Sequence, residues 1–212
     1  MRGLNNRLSK TPFQPSKFPG AGTTRTATRA LFRTRVGSGS DGGVITAICT
    51  HWDDRSDAQR QLAASLLIQR GAHEAVCTGN RPVFILGDFN SPSSGPDCGG
   101  YETITGARTP QPIDSAFAER YGRGERGWAF NDLLAHTQPM GRSGNHATFT
   151  GFFEYRRMDL KRIDFVMAGG DGWEVVHYRV GEDCWDAQRM ASDHRPVWVD
   201  VVVKEEAEGR EG

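Results

Sequence analysis

The segment Pro82-Val-Phe-Ile-Leu86 constrains this chain more than any other, being five apolar residues without alternation, closed by Gly87. A strand with water on one face alternates apolar and polar residues, whereas an unbroken apolar run this short reads as a strand covered on both faces. Its sheet therefore needs a packing layer on each side. The run ends in Asp88-Phe89-Asn90, so a rigid element delivers polar side chains to one end of that sheet.

The neighbouring segments supply the layers. Val44-Ile-Thr-Ala-Ile-Cys-Thr50 is β-rich and ends at His51, in His51-Trp-Asp-Asp54. Ser56-Asp-Ala-Gln59 has the spacing of a capping box, so a helix follows. Ala58, Leu62, Leu66 and Gln69 fall on one face of it, and Gly71 is its natural stop. Residues 91–112 are rich in Gly, Pro and Ser and read mostly as loop, with a helix expected around 115–121 and a Gly-rich excursion at 121–127. Strands are expected near 24–36, 146–150, 162–167 and 196–203, and a further one at 173–180. Short strands with one or two helices point to a sheet-based α/β fold with long loops.

The chain has 212 residues, enough for one domain that hides roughly 70% of its unfolded surface without disulfides. Its 26 basic residues balance 26 acidic ones, which excludes whole-molecule charge as a basis for nucleic-acid or membrane binding. Residues 1–40 break that balance, with eight Lys or Arg, three prolines and no acidic residue. Residues 1–23 read as a basic, disordered arm; a transit peptide would share the composition, but Pro12, Pro15 and Pro19 interrupt an amphipathic helix. Residues 24–203 form the domain, and 204–212 a solvated acidic tail. Cys49, Cys77, Cys98 and Cys184 are scattered with no C-x-x-C pair, so free thiols in a reducing compartment are the default. No apolar run reaches the length of a spanning helix, and no secretory signal is visible. The resulting expectation is an intracellular, cytoplasmic protein, with mitochondrial or nuclear placement left open.

Four strand ends carry polar groups with no evident structural duty: His51, Asp88 with Asn90, Asp164, and the adjacent Asp193 and His194. Asp88 and Asn90 are two apart, which in an extended backbone puts both on one side, where a carboxylate takes a proton and an amide orients water or a phosphate oxygen. The plainer reading is an Asx-turn. Asp193 and His194 are neighbours and point to opposite faces, so His194 needs another carboxylate; Asp164 can supply it and fix the imidazole tautomer. The plainer role for Asp164 is a salt bridge to Arg162 or Lys161. His51 alone would be a surface histidine, Asp53 and Asp54 loop charges, and Trp52, Trp173, Trp185 and Trp198 packing residues. Neither Gly-rich loop has the spacing of a nucleotide cradle, and no G-x-S-x-G elbow exposes a serine.

Taken in order, Thr50-His51, Gly87-Asp-Phe-Asn90, Thr148-Phe-Thr-Gly151, Arg162-Ile-Asp-Phe165 and Ser192-Asp-His-Arg-Pro196 resemble the endonuclease/exonuclease/phosphatase superfamily with its DNase I-like fold. Phe149-Thr-Gly-Phe152 is also similar to a segment found in a subgroup of uncharacterised hydrolases. The resemblance implies an α/β (α+β) fold, a two-sheet β-sandwich flanked by helices, that cuts phosphoester bonds with Mg²⁺ (or Mn²⁺) and an in-line water. It implies that Asp88 positions or deprotonates the water and Asn90 orients it and the phosphate. Asp193 would be the metal ligand, and His194, held by Asp164, would bond the scissile phosphate. His51 would contact the phosphate or protonate the leaving oxygen. Nucleic acid, a phospholipid head group and a small phosphate ester are all substrates that the resemblance permits.

The chain departs from the family at its start. Members begin with a strand ending in Asn, then a helix and a strand ending in Gln-Glu, whose Glu is the principal metal ligand. The sequence before Asp41 contains no acidic residue, so the fold is expected to be N-terminally incomplete. That expectation brings exposed sheet edges and apolar faces, weak metal affinity and low activity of the chain alone. It also keeps a second class of reading open, a non-catalytic binding or regulatory remnant of the fold.

Overall fold

The structure is a computed structural model that describes residues 25–36, 40–79, 81–122, 127–152, 160–182, 185–186 and 189–204. The basic arm and the acidic residues of the tail lie outside these residues. The first strands, β1 (Ala27–Val36) and β2 (Ser40–His51), form an antiparallel pair. Helix α1 (Asp57–Cys77) then crosses over to β3 (Val83–Asp88), which runs parallel to β2. Further along come α2 (Gly99–Ile104), α3 (Ser115–Tyr121), β4 (Asn131–Asp132), α4 (Leu133–His136) and β5 (Arg142–Gly144). The chain closes with β6 (Asp164–Gly169), β7 (Trp173–Val180), the short pair β8 (Trp185–Asp186) and β9 (Arg189–Met190), and β10 (Val197–Val203).

Among the described residues, one sheet has the order β1-β2-β3-β6-β4 and a second has β10-β7-β5. The apolar run sits at the middle of the first sheet, as its composition requires. Val83 and Ile85 point to one face, where Leu66, Leu67, Ile104 and Phe130 pack on them. Phe84 points to the other, against Val175, Tyr178 and Val180 of the second sheet. Helices on one side and a second sheet on the other give the two-sheet, helix-flanked α/β architecture of the DNase I-like fold. Coverage fails at the last apolar residue, since Leu86 is 37% exposed. Among the described residues, strands β1 and β10 each pair on one side only, and Val176, Trp198 and Val202 are exposed, so Trp198 is not the packing residue expected of it.

Helix α1 shows how local signals and packing share control. The Ser56 hydroxyl caps the Gln59 N–H at 3.3 Å, as the sequence predicts. The reciprocal half of the capping box is not made, because the carboxylate of Asp53 already accepts from the Ser56 N–H at 2.7 Å. Asp53 is accordingly a buried turn-former rather than a loop charge, while exposed Asp54 pairs with Arg25. Nor does the helix stop at Gly71. A Cβ there would run into the rings of Trp128 and Phe130, so this glycine exists for close packing, and the helix continues to Cys77 before turning at Gly79 with φ of 73°.

The 91–112 stretch is mostly loop, as expected, and holds the short helix α2, whose Gly99 and Gly100 are buried against α1; a Cβ on Gly100 would meet Arg60 and Trp52. Residues 146–150 do not form a ladder strand, and Phe149 makes isolated antiparallel bridges to Lys161 and His194 instead.

Candidate active site

Parallel pairing of β2 with β3, and antiparallel pairing of β3 with β6, brings three strand ends to one edge of the first sheet. His51 lies directly opposite Asp88, and Asp88 directly opposite Asp164. Register alone therefore lines up three of the residues singled out from sequence, since cross-strand partners project to the same face. Gly87 permits the close approach: its φ is 141°, and a Cβ there would collide with the Thr50 carbonyl. Below the edge, Trp52 stacks on Phe89 with ring centroids 4.2 Å apart, and the Trp52 N–H donates to the Asp88 carbonyl at 2.9 Å.

His194 reaches the same edge from the segment before β10. Its Nδ1 lies 2.8 Å from Asp164 Oδ2, and its Nε2 lies 3.8 Å from Asp88 Oδ2. His51 Nε2 is 3.3 Å from that same Asp88 oxygen. The Asp88 carboxylate thus faces two imidazoles with one oxygen while the other accepts from the Asn90 N–H at 2.8 Å. Both readings of Asp88 hold at once, the Asx-turn on Oδ1 and the polar cluster on Oδ2. Asn90 is not on an extended backbone: its φ is 48°, so the same-side argument does not apply to it. Its amide instead donates to the Trp52 carbonyl at 3.1 Å.

The plainer reading of Asp164 fails because Arg162 is engaged elsewhere. Its guanidinium bonds Asp132 at 2.5 Å, with both side chains almost wholly buried, and it lies over the Phe165 ring. Asp88, Asp164 and His194 are the group among the described residues whose ligating atoms all lie within 4.8 Å of one another. Asp193 is half-buried, and its carboxylate is not in that group. Its carbonyl is held by the Thr150 N–H at 2.7 Å and the Thr150 hydroxyl at 2.9 Å.

The electrostatics follow from this crowding. Burial is the main cause raising the Asp88 carboxyl above its usual range, and the facing charge of Asp164 adds to it; the Asn90 N–H and the two imidazoles pull the other way. The hydrogen bond to Asp164 raises His194 against the opposing effect of burial, with the charges of Asp164, Asp88 and Asp193 contributing further. The cluster favours the protonated form of His194 beside carboxylates, an arrangement suited to donating one hydrogen bond to an anion and accepting a proton from a neighbouring water. Sequence reasoning gave Thr148 and Thr150 no role beyond their motif, although the structure sets both hydroxyls against the backbone that carries Asp164 and Asp193. A threonine at each end of Thr-Phe-Thr was the available signal.

A two-sheet sandwich flanked by helices on one side defines the DNase I-like class of fold, and the comparisons give it a family. Residues 8–194 match the model of the Endonuclease/Exonuclease/phosphatase family, to which the chain belongs. Among solved structures, it is similar to the endonuclease/exonuclease/phosphatase from Bacteroides vulgatus, with 25% identity and a TM-score of 0.61 over 85% of this chain and 56% of that one. It is also similar in fold to a functionally unknown conserved protein from Enterococcus faecalis, at 23% identity and a TM-score of 0.59, covering 92% of this chain and 63% of that one. A mannosyl-6-phosphatase from Bacteroides thetaiotaomicron shares the fold at 20% identity and a TM-score of 0.53, covering 84% of this chain and 57% of that one. The chain spans less than two thirds of the length of each of these proteins. No curated protein matches it.

Proposed function

We propose that the chain is a phosphoesterase that hydrolyses a phosphate ester with an activated water. The observation that carries this reading is the contact series His51–Asp88–His194–Asp164, built from both sheets at one edge. Asp164 orients the imidazole through Nδ1 and favours its protonated form, leaving the Nε2 N–H to bond a phosphate oxygen and offset developing charge. Asp88, whose proton affinity is raised by burial, accepts the proton of the attacking water. Asn90 orients that water or the phosphate beside it. His51, more than half exposed, contacts the phosphate or protonates the departing oxygen. The family and the activity in the name of the mannosyl-6-phosphatase both support phosphate-ester chemistry. Nucleic acid, a phospholipid head group and a small phosphate ester remain the substrate classes.

A divalent cation, Mg²⁺ or Mn²⁺, belongs to this reading. The donors fit a hard cation: Asp88 and Asp164 offer carboxylate oxygens that lie with a His194 nitrogen within 4.8 Å of one another, and crowded carboxylates gain from a neighbouring positive charge. Asp193 would be a further ligand, and the ion when bound would polarise the phosphoryl oxygen. One placement favours a second reading, a non-catalytic binding remnant: Asp193 stands apart from the group that Asp88, Asp164 and His194 form. The test is hydrolysis of bis(4-nitrophenyl) phosphate and 4-nitrophenyl phosphate by the purified chain, with and without Mg²⁺ or Mn²⁺. Turnover that needs the cation and is lost in both Asp88→Ala and His194→Ala is the expected result. A folded chain with no turnover on either ester overturns the reading in favour of the remnant.

Among the described residues no helix is long and apolar enough to cross a membrane.

A further inference from the structure

Asp164 opens β6 of the first sheet, and His194 lies in the segment that leads into β10 of the second. A 2.8 Å contact between them requires that the two sheets be held in fixed relation at this edge. The segment 148–151 lies between the two chain stretches and is bonded to both. On one side, the Thr148 and Phe149 N–H groups donate to the Lys161 carbonyl at 3.0 and 2.9 Å. On the other, the Arg195 N–H donates to the Thr148 carbonyl at 2.6 Å, and the Thr150 N–H donates to the Asp193 carbonyl at 2.7 Å. The Phe149 ring packs against the His194 imidazole, centroids 5.1 Å apart.

The Thr148 side chain is fully buried, and its hydroxyl oxygen accepts from two successive amides, Ile163 at 3.1 Å and Asp164 at 3.0 Å. Those are the residues at which the chain enters β6, and the Ile163 carbonyl in turn accepts from the Phe89 N–H at 2.8 Å, next to Asp88. A hydroxyl has two lone pairs for two such donors, whereas a valine of the same shape has none.

We propose that Thr148 is a positioning residue for the candidate site, its hydroxyl pinning the Asp164 backbone while the segment it opens ties His194 to that same edge. The catalytic consequence rests on the phosphoesterase reading above, but the positioning itself does not. Thr148 touches no reacting atom in this scheme. It acts through Asp164, whose carboxylate then meets His194 in one geometry.

The experiment compares Thr148→Val, Thr148→Ser and, as a matched control, Thr46→Val, a fully buried threonine whose hydroxyl has no hydrogen-bond partner among the described residues. Amide hydrogen exchange is read at Ile163 and Asp164, and kcat and KM are read with bis(4-nitrophenyl) phosphate and Mn²⁺. In Thr148→Val those two amides are expected to exchange about tenfold faster or more, because each loses the hydroxyl that accepts from it inside a buried site. Its kcat is expected to fall about 10²-fold with KM little changed, the size of effect that small misplacements of reacting groups produce. Thr148→Ser restores both, and Thr46→Val alters neither. If Thr148→Val does not fold, Thr150→Val carries the test, with about a tenfold loss of kcat expected because the Thr150 N–H still holds Asp193. Unchanged protection at Ile163 and Asp164 in Thr148→Val, or unchanged kcat in whichever of Thr148→Val and Thr150→Val carries the test, overturns the proposal. Absence of turnover in the wild-type chain would sink the phosphoesterase reading instead, and the exchange measurement would still decide the role of Thr148.

Discussion

Arg162 and Asp164 are two residues apart, yet they belong to polar groups of opposite character. Arg162 meets Asp132 at 2.5 Å with both side chains at most 6% exposed, and the remaining Asp132 oxygen accepts from the Tyr101 hydroxyl at 3.0 Å. One cation matches one carboxylate there, and Asp132 also caps α4 through the Leu134 N–H. Asp164 meets His194 at 2.8 Å in a group that is about a fifth to a quarter exposed and crowded with further carboxylates. The first group neutralises its charge and is closed to water. The second leaves charge unbalanced at an open edge, where an anion, a cation or a water can complete it. The difference separates a structural ion pair from a candidate site more clearly than residue type does, because both groups are built from aspartates on neighbouring strands.

The sharpest way to break this comparison is to mutate one member of each group and ask whether activity and stability separate. His194→Ala or Asp164→Asn should cost about 10²–10⁴-fold in kcat, the range associated with loss of a positioned acid or base, with only a small change in melting temperature. Comparable losses of stability in these variants would place the edge cluster with the structural pair.

Asp132→Ala should do the reverse. Removing one partner of a buried pair leaves Arg162 uncompensated and is expected to cost about 3–5 kcal/mol in urea unfolding. Stability unchanged by that substitution would show that the buried group is not a structural ion pair on which the fold depends.

A smaller effect should appear with pH. The folded His194 has its pKa raised by Asp164, so its contribution to stability is complete below the unfolded value of about 6.5 and is lost as pH rises through the folded value. Asp88 is also raised, so its contribution too is lost as pH rises, from about 3.9 through its own folded value. The difference in melting temperature between the wild-type chain and His194→Ala should therefore shrink from pH 6 toward pH 9. Arg162, a guanidinium raised further still, gives no slope in that interval. A difference that grows with pH would contradict the placement of His194 beside Asp164.

The smallest effect is expected at an exposed pair. Arg108 bonds Glu102 at 2.6 Å with both side chains well exposed, and Glu102→Gln should leave melting temperature and turnover within error. It serves as the baseline against which the other two groups are judged.

Legibility from the sequence followed the range of the interaction. The helix from Asp57 and the strand from Val83 were readable because a capping hydroxyl and an apolar run act over a few residues. Gly71 misled because a glycine has two uses, and only the distant rings of Trp128 and Phe130 show which one applies. Asn90 misled in the same way, since its left-handed backbone is set by the turn that Asp88 closes.

The sequence by itself determined the residues that carry polar chemistry, the strands that carry them to their ends and the central position of the apolar strand. These depend on composition and short-range periodicity, which a linear reading contains. Tertiary structure alone decided that His51, Asp88 and Asp164 stand in cross-strand register, that Arg162 pairs with Asp132 and leaves Asp164 to His194, and that Thr148 bonds the backbone between the two sheets. Those facts depend on strand register and sheet packing across separations of 16 to 76 residues, where one position's slip would turn every side chain to the opposite face.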